Sequence, residues 1–392
     1  VRKTSPEAQT GSRKKERKRS VKVQKVPVRI EQDIVTPLLK WYDANKRILP
    51  WRENQEPYRI WVSEIMLQQT RVEAVKPYFD RFMKELPEVT DLAYAKEERL
   101  LKLWEGLGYY NRVRNMQKAA QMIVTEWEGR FPQEYDALLK LPGIGSYTAG
   151  AIASISFGQQ EPAVDGNVLR ILSRLLLYEE DILSQRAKNE AREALLPLMP
   201  QKRSGDFNQA LMELGATVCV PNGAPNCEKC PWKDLCLAQQ NNCWQDYPKK
   251  SAKKPRKIEE KTILIIGDGE HILLHKRPPK GLLAGMYELP GIDGYADEQT
   301  IIETVRQMGF SPLRIQQTGE AKHIFTHKEW HMKGWRMLIE PPDFETDIAE
   351  MGKDYVLVTK EETKQDYPIP SAFAAFTEYL DIRPGMGKVI RG

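Results

Sequence analysis

The segment LPGIGSYTAGAIASISFG, Leu141 to Gly158, sets two glycines around one apolar residue and runs directly into a helix of small side chains. Gly143 and Gly145 let the backbone turn tightly, so the N–H groups opening the next helix are free to meet a phosphate oxygen. Such a turn holds nucleic-acid backbone without reading bases, but it also occurs as a plain connection between helices. Its neighbours decide between the two.

Seven residues past that helix comes AVDGNVLRIL, in which Asp165 sits in an apolar run ahead of Gly166, Asn167 and a new helix. Taken alone, Asp165 reads first as a helix N-cap. Far upstream, PYRIWVSEIMLQQTRV puts Glu64 on a helix with Trp61, Leu67 and Gln68 at i−3, i+3 and i+4, on a largely apolar face. Desolvation there raises a carboxyl pKa, as a general acid working near neutrality requires; the plainer alternative is a surface glutamate at the helix edge. Two carboxyls in unlike surroundings suit glycosidic cleavage, one protonating the leaving group and the other supporting an oxocarbenium-like centre.

The chain of 392 residues exceeds one ordinary core, and two or three domains are expected. Residues 30–243 carry a helical pattern, as in IEQDIVTPLLKWYDANKR and EERLLKLWEGL. Residues 244–261, including DYPKKSAKKPRKIEEK, read as a charged linker. From 262 to 382 the runs TILIIGDGEHILLHKR, GMYELPG, WRMLIE and DYVLVT, with the helical EQTIIETVRQMG among them, describe an α+β module. Residues 383–392 form a tail.

The net charge of +5 is a poor guide to nucleic-acid binding. Residues 1–29 hold eleven Lys/Arg against Glu7 and Glu16, a surplus of nine, so the remainder carries −4. That basic arm is expected to be disordered with nonspecific phosphate affinity; any DNA surface beyond it must be local. No stretch approaches the ~20 apolar residues of a membrane span, and the expectation is a soluble, cytoplasmic, nucleoid-associated bacterial protein.

All five cysteines fall between Cys219 and Cys243, which speaks for a metal or cluster site over a disulfide framework. Cys219, Cys227, Cys230 and Cys236 give C-x7-C-x2-C-x5-C, and Cys243 is left over as a free thiol. From spacing, both zinc and an iron–sulfur cluster remain open, although structural zinc more often uses two close pairs.

The blocks LPWR, WVSEIMLQQTRV, GLGYYNRVRN, LPGIGSYTAGAI, AVDGNVLRILSR, FNQALMELGA, the cysteine cluster and HIFTH together resemble the MutY-type adenine DNA glycosylases of the helix-hairpin-helix superfamily, over Ile30 to about Leu380. The resemblance implies a multidomain protein: an all-α helix-hairpin-helix glycosylase core with a [4Fe-4S] loop, then an α+β Nudix-like domain. It implies that Glu64 protonates adenine N7 and that Asp165 stabilises or captures the sugar C1′, with Asn167 and Tyr147 assisting. Trp51, Arg52, Leu67, Val72 and Gln209 match positions around the adenine. Gln69 and Tyr109 match residues inserted beside the partner base, with core packing the alternative for Tyr109, Trp51 and Leu67.

Gly143 and Gly145 become the DNA-backbone grip, and the four cysteines become [4Fe-4S] ligands, with seven residues where the family commonly has six between the first two. Phe325, Thr326 and His327 match the loop contacting oxidised guanine, where many relatives carry serine in the middle. His323, His327 and His331, four apart, also permit a minor metal reading. Arg306 and Gln307 stand where a Nudix hydrolase needs glutamates, so this domain is expected to read rather than hydrolyse. The expected partner is duplex DNA containing A opposite 8-oxoguanine or G, bound by a monomer.

Two rivals remain at this level. An endonuclease III-like enzyme with lyase activity needs a lysine amine where Tyr147 stands. A catalytically silent DNA-binding module gains nothing from a carboxyl near phosphates.

Overall fold

The computed structural model describes residues 30, 33–252, 255–342, 354–381 and 388–390. The basic arm of residues 1–29 and most of the 383–392 tail lie outside the described residues. Twelve helices come first among those described. α1 (Val35–Asn45), α2 (Pro57–Leu67), α3 (Val72–Glu85), α4 (Val89–Tyr94), α5 (Glu97–Leu103) and α6 (Asn111–Glu126) precede the hairpin. α7 (Tyr135–Leu138) and α8 (Ser146–Phe157) form it, and α9 (Gly166–Leu176), α10 (Gln185–Leu195), α11 (Ser204–Thr217) and α12 (Leu237–Gln240) follow.

Helix α2 is the axis of the first lobe. Pro57 occupies its first turn, and the Glu56 carboxylate caps it by accepting from the N–H groups of Tyr58 and Arg59. Tyr58 through Met66 are buried except Arg59, so the helix is apolar nearly all round and needs neighbours on every side. Helices α3 to α8 supply them, with Trp61 fully buried and edge-on to Phe131. A second lobe gathers α1, α9, α10, α11 and the cysteine loop. Helix α11 joins the two by close approach, because Gly205 lies against the Ser154–Ile155 backbone of α8 and Gly215 against Asn167 of α9. The cleft between the lobes is where side chains of both meet.

The C-terminal domain is an eight-stranded sheet among the described residues: β1 (Lys257–Gly267), β2 (His271–Lys276), β3 (Tyr287–Glu288), β4 (Gly291–Asp293), β5 (Pro312–Ile324), β6 (Lys328–Ile339), β7 (Tyr355–Thr359) and β8 (Lys388–Val389). The order is β3-β2-β1-β6-β5-β8, with β4 on β1 and β7 on β2; β1 and β6 run parallel and the other pairs antiparallel. One face is covered by α13 (Glu298–Gln307) and the other by Ile369, Phe373 and Phe376. With both faces covered, Thr262–Gly267 is buried in an unbroken run, the pattern of a central strand.

The linker is shorter than 244–261. Trp244–Asp246 is a single 3-10 turn, and Tyr247 and Lys249 are bonded to the helical domain through Arg174 and Ile182. Strand β1 begins at Lys257, inside the expected linker. Its first residues, KIEE, show no apolar alternation because the backbone ladder to β6 and the ion pair of Glu259 with Lys328 hold them. Strand β5 escaped the sequence reading for the same reason: RIQQTGEAKH is polar along most of its length.

The two domains are docked. Met286, fully buried, enters the hydrophobic core of the first lobe beside Leu283. Lys102 donates to the carbonyl of Thr363, Glu105 accepts from the Ile369 N–H, and Arg114 bonds the carbonyl of Ala284.

In the hairpin, only Gly143 uses the freedom of glycine. Its φ is +79°, whereas Gly145 has φ −98° in extended backbone that any residue adopts. A Cβ at 143 would lie 2.7 Å from Asn115 Cβ; at 145 it would meet nothing within 4 Å. Gly143→Ala is therefore expected to lower stability by roughly 1–3 kcal/mol, and Gly145→Ala to leave it unchanged. Thermal unfolding of each variant checks this; equal destabilisation by both contradicts it.

Candidate active site

The cleft between the lobes holds a cavity of about 760 Å³. Its walls include Trp51, Arg52, Glu64, Leu67, Gln69, Val72, Tyr147, Asp165, Asn167 and Gln209, residues from helices far apart in the chain. Of the expected catalytic and adenine-side residues, all line this one space.

Glu64 sits on α2 with 7% of its surface exposed. Tyr147, in the first turn of α8, donates its hydroxyl to Glu64 Oε2 and lies 3.6 Å from the sulfur of Met212. Burial pushes the Glu64 carboxyl up to about 7; the Tyr147 hydrogen bond opposes this, the Asp165 charge adds to it, and Arg52 opposes it weakly. Burial beside two carboxyls raises the Tyr147 phenol well above its ordinary value, so it remains a donor.

Asp165 caps its helix and also lines the cavity. It caps α9, with Oδ1 accepting from the Val168 N–H at 2.8 Å, while Oδ2 accepts from Asn167 Nδ2 at 2.7 Å. Burial raises its carboxyl above the ordinary carboxylate value, and the hydrogen bonds from Val168 and Asn167 offset only part of that. Asn167 is itself held by Arg170, whose Nη2 donates to Asn167 Oδ1 at 2.8 Å and to the Gly215 carbonyl at 2.7 Å. Glu64 thus has one neutral donor, and Asp165 a backbone and an amide donor.

The sequence reading missed Glu213. This fully buried side chain bonds Arg47 Nε at 2.6 Å and Arg52 Nη2 at 2.8 Å. Burial alone would raise its carboxyl, but the two guanidinium groups hold it below the usual range. Arg52 therefore borders the cavity with its charge already engaged, and a third acid at this site is kept ionised. The signal was present, since Glu213 lies one turn beyond Gln209 in FNQALMELGA. Trp51, buried and edge-on to Phe79 at 5.5 Å, belongs to the core as well as to the wall.

Gln69 and Tyr109 leave their helices with φ +60° and +48°, a region non-glycine residues rarely adopt. Tyr109 is half exposed, and its hydroxyl lies 3.4 Å from Thr326 Oγ1 at the tip of the β5–β6 hairpin. Beside Thr326, Phe325 stacks edge-on against His323 and Trp330 at 4.6 and 4.8 Å, and His327 is exposed.

Cys219, Cys227, Cys230 and Cys236 line one small apolar cavity of about 30 Å³ together with Ile171, Leu175, Leu214 and Trp232. Arg174 Nη1 lies 3.2 Å from Cys219 Sγ, a cation suited to thiolate charge. The seven-residue spacing closes normally: Gly223 takes φ +77°, and the Asn226 N–H reaches the Val218 carbonyl. No group of three or more His, Cys, Asp or Glu side chains among the described residues stands close enough to chelate a single ion, which also covers His323, His327 and His331. Cys243 does not line the thiol cavity. Among the described residues no helix is long and apolar enough to cross a membrane.

Residues 62–197 match the family described as HhH-GPD superfamily base excision DNA repair protein, and residues 262–379 match the NUDIX domain. The chain is 37% identical to a Mus musculus adenine DNA glycosylase, over 74% of this chain and 67% of that protein. It is 35% identical to the Rattus norvegicus enzyme of that name over 82% and 75%, and 41% identical to one from Buchnera aphidicola over 64% and 72%.

A raised carboxyl pKa carries a stability cost. The folded state binds the Glu64 proton more tightly than the unfolded chain, so the cost is absent below pH ~4.5, grows as pH rises through about 7 and is complete above it. Glu64→Gln, which keeps an oxygen for Tyr147, is expected to stabilise the protein by on the order of 2–3 kcal/mol at pH 8 and by nothing near pH 4.5. Denaturant titrations at the two pH values measure the difference.

Proposed function

The chain belongs to the adenine DNA glycosylases, enzymes of base-excision repair acting on DNA, and from that premise we propose that it removes adenine opposite 8-oxoguanine or guanine in duplex DNA, leaving an abasic site in an uncut strand. The observation that carries the chemistry is the pair of carboxyls from opposite lobes on one cavity, in unlike surroundings. Adenine swings out of the helix into the cavity among Trp51, Arg52, Leu67, Val72 and Gln209. Glu64, protonated near neutrality and kept in line by Tyr147, gives its proton to N7, and the C1′–N9 electron pair leaves with the base. Asp165, steadied by the Val168 N–H and Asn167, faces the positive charge growing on the sugar until water adds at C1′.

Gln69 and Tyr109 fill the gap beside the partner base. Gly143 and Gly145 bring the start of α8 to the phosphates, where an uncapped helix end favours an anion. Phe325, Thr326 and His327 read 8-oxoguanine; the support is the approach of Thr326 to Tyr109, which puts the hairpin tip beside the residue next to the orphaned base. The helical domain, up to Lys249, is thus the catalytic domain and the domain opening at Lys257 the reader, the enzyme working as a monomer on nucleoid DNA.

Cys219, Cys227, Cys230 and Cys236 fit a group that takes four thiolates, and we assign them a [4Fe-4S] cluster, which when bound cross-links the end of the helical domain. Trp232 and Leu214 keep water from it, and Arg174 offsets its charge. Anaerobically purified protein should contain iron and sulfide and absorb near ~400 nm; stoichiometric zinc without that band contradicts the assignment.

The rate of adenine release from an A:8-oxoguanine duplex under single turnover should fall about tenfold per unit above pH 7, where the donor loses its proton, and should fall again on the acid side as Asp165, raised above its ordinary value, takes one up. Glu64→Gln and Asp165→Asn should each slow release by roughly 10²–10⁴-fold, and Tyr147 should leave no adduct for borohydride to trap. Undiminished release by both variants would falsify the mechanism.

A further inference from the structure

Arg112, in the first turn of α6, makes more carbonyl contacts than any backbone staple of ordinary helix packing needs. Its Nη1 donates to the carbonyls of Ile65 at 2.6 Å, Gln68 at 2.7 Å and Met66 at 3.3 Å. Its Nη2 donates to those of Leu107 at 2.9 Å and Gly108 at 3.1 Å. The first set is the last turn of α2, leading from Glu64 to Gln69; the second is the loop leading to Tyr109. The guanidinium also lies between two rings, 5.3 Å from Trp104 and 5.6 Å from Tyr109. Burial pulls its pKa down to about 10, so it stays charged at neutrality.

Both target segments end in a residue held at positive φ, Gln69 and Tyr109. Such conformations persist only where surrounding contacts over-determine them. One planar group whose four Nη hydrogens point in fixed directions can over-determine two loops together, its Nε–H being buried without a partner; a lysine ammonium, with three donors on a point, cannot reach both sets. The free carbonyls at the end of α2 would otherwise need water at the DNA face.

We propose that Arg112 is a positioning residue for the orphaned-base gap, locking the Gln69 and Tyr109 loops into one rigid unit in register with Glu64. The inference rests on the reading of Gln69 and Tyr109 as the residues that fill that gap. Arg112 touches no reacting atom, so its loss should be felt only where a partner base must be accommodated.

The test compares wild type with Arg112→Lys under single turnover, enzyme in excess, on two duplexes: adenine opposite 8-oxoguanine, and adenine opposite a tetrahydrofuran abasic analogue with no partner base. Arg112→Lys should lose on the order of 30-fold on the first and less than about threefold on the second, with binding to an undamaged duplex unchanged. In a Gln69→Ala/Tyr109→Ala background the lysine should add no further loss. Equal loss on both duplexes, or full loss in the doubly substituted background, overturns the proposal. If Gln69→Ala and Tyr109→Ala themselves affect neither duplex, the gap-filling reading fails and takes the inference with it, a pattern distinct from failure of Arg112→Lys alone. Should Arg112→Lys not fold, hydrogen exchange on wild type decides: the amides of 68–70 and 107–109 should open with one common free energy, and separate openings overturn the lock.

Discussion

The hydrogen bond from Tyr147 to Glu64 joins α8 to α2 on the wall of the cavity, and much of the helical domain is arranged so that this bond exists. A carboxyl in that place is expensive to ionise, and neither Arg47 nor Arg52 bonds it, Arg52 acting on it only weakly through its charge. Arg47 and Arg52 are both taken by Glu213, a fully buried acid with no other visible purpose than to hold them. Had Arg52 instead paired with Glu64, the pKa of Glu64 would fall and its proton would be gone at neutrality. Glu213 therefore bears on the Glu64 proton without touching it, by engaging Arg47 and Arg52.

The same division appears at Asp165, where the donors are fixed and numerous. Its carboxylate is kept usable by a backbone N–H and an amide, and the amide is in turn held by Arg170 anchored on the Gly215 carbonyl. That anchoring demands close approach of α11, which Gly215 alone permits: a Cβ there would fall 2.6 Å from Asn167 Cβ. A packing constraint between two helices thus sets the electrostatics of a carboxylate on the third side of the cavity.

Much of this was legible in sequence wherever apolar period and chemistry coincide. The face of Trp61, Leu67 and Gln68 around Glu64 predicted its burial, and Asp165 caps α9 as its sequence suggests while also lining the cavity. Legibility failed where backbone pairing rather than side-chain pattern makes the structure, as in β5 and the opening of β1. It failed too at partnerships across more than 150 residues, such as Arg52 with Glu213, for which local spacing gives no sign. Gly145 shows a subtler limit. Two glycines read alike in a motif, yet only Gly143 needs its φ, and Gly145 leaves open space at the helix start.

The docking of the domains follows from the same economy of contacts. Arg112 and Arg114 are two residues apart on α6; one holds the loops beside the cavity, and the other bonds Glu97 and the Ala284 carbonyl of the C-terminal domain. Met286, buried in the helical core, prevents that domain from drifting without opening a cavity. Thr326 can then meet Tyr109 at 3.4 Å although each sits on an exposed tip. A single contact between two exposed tips would fix nothing by itself; it becomes meaningful because α6 is tied on one side to the Gln69 and Tyr109 loops and on the other to the C-terminal domain. The Gln69 and Tyr109 loops and the tip of the β5–β6 hairpin are in this way tied to one short turn of helix.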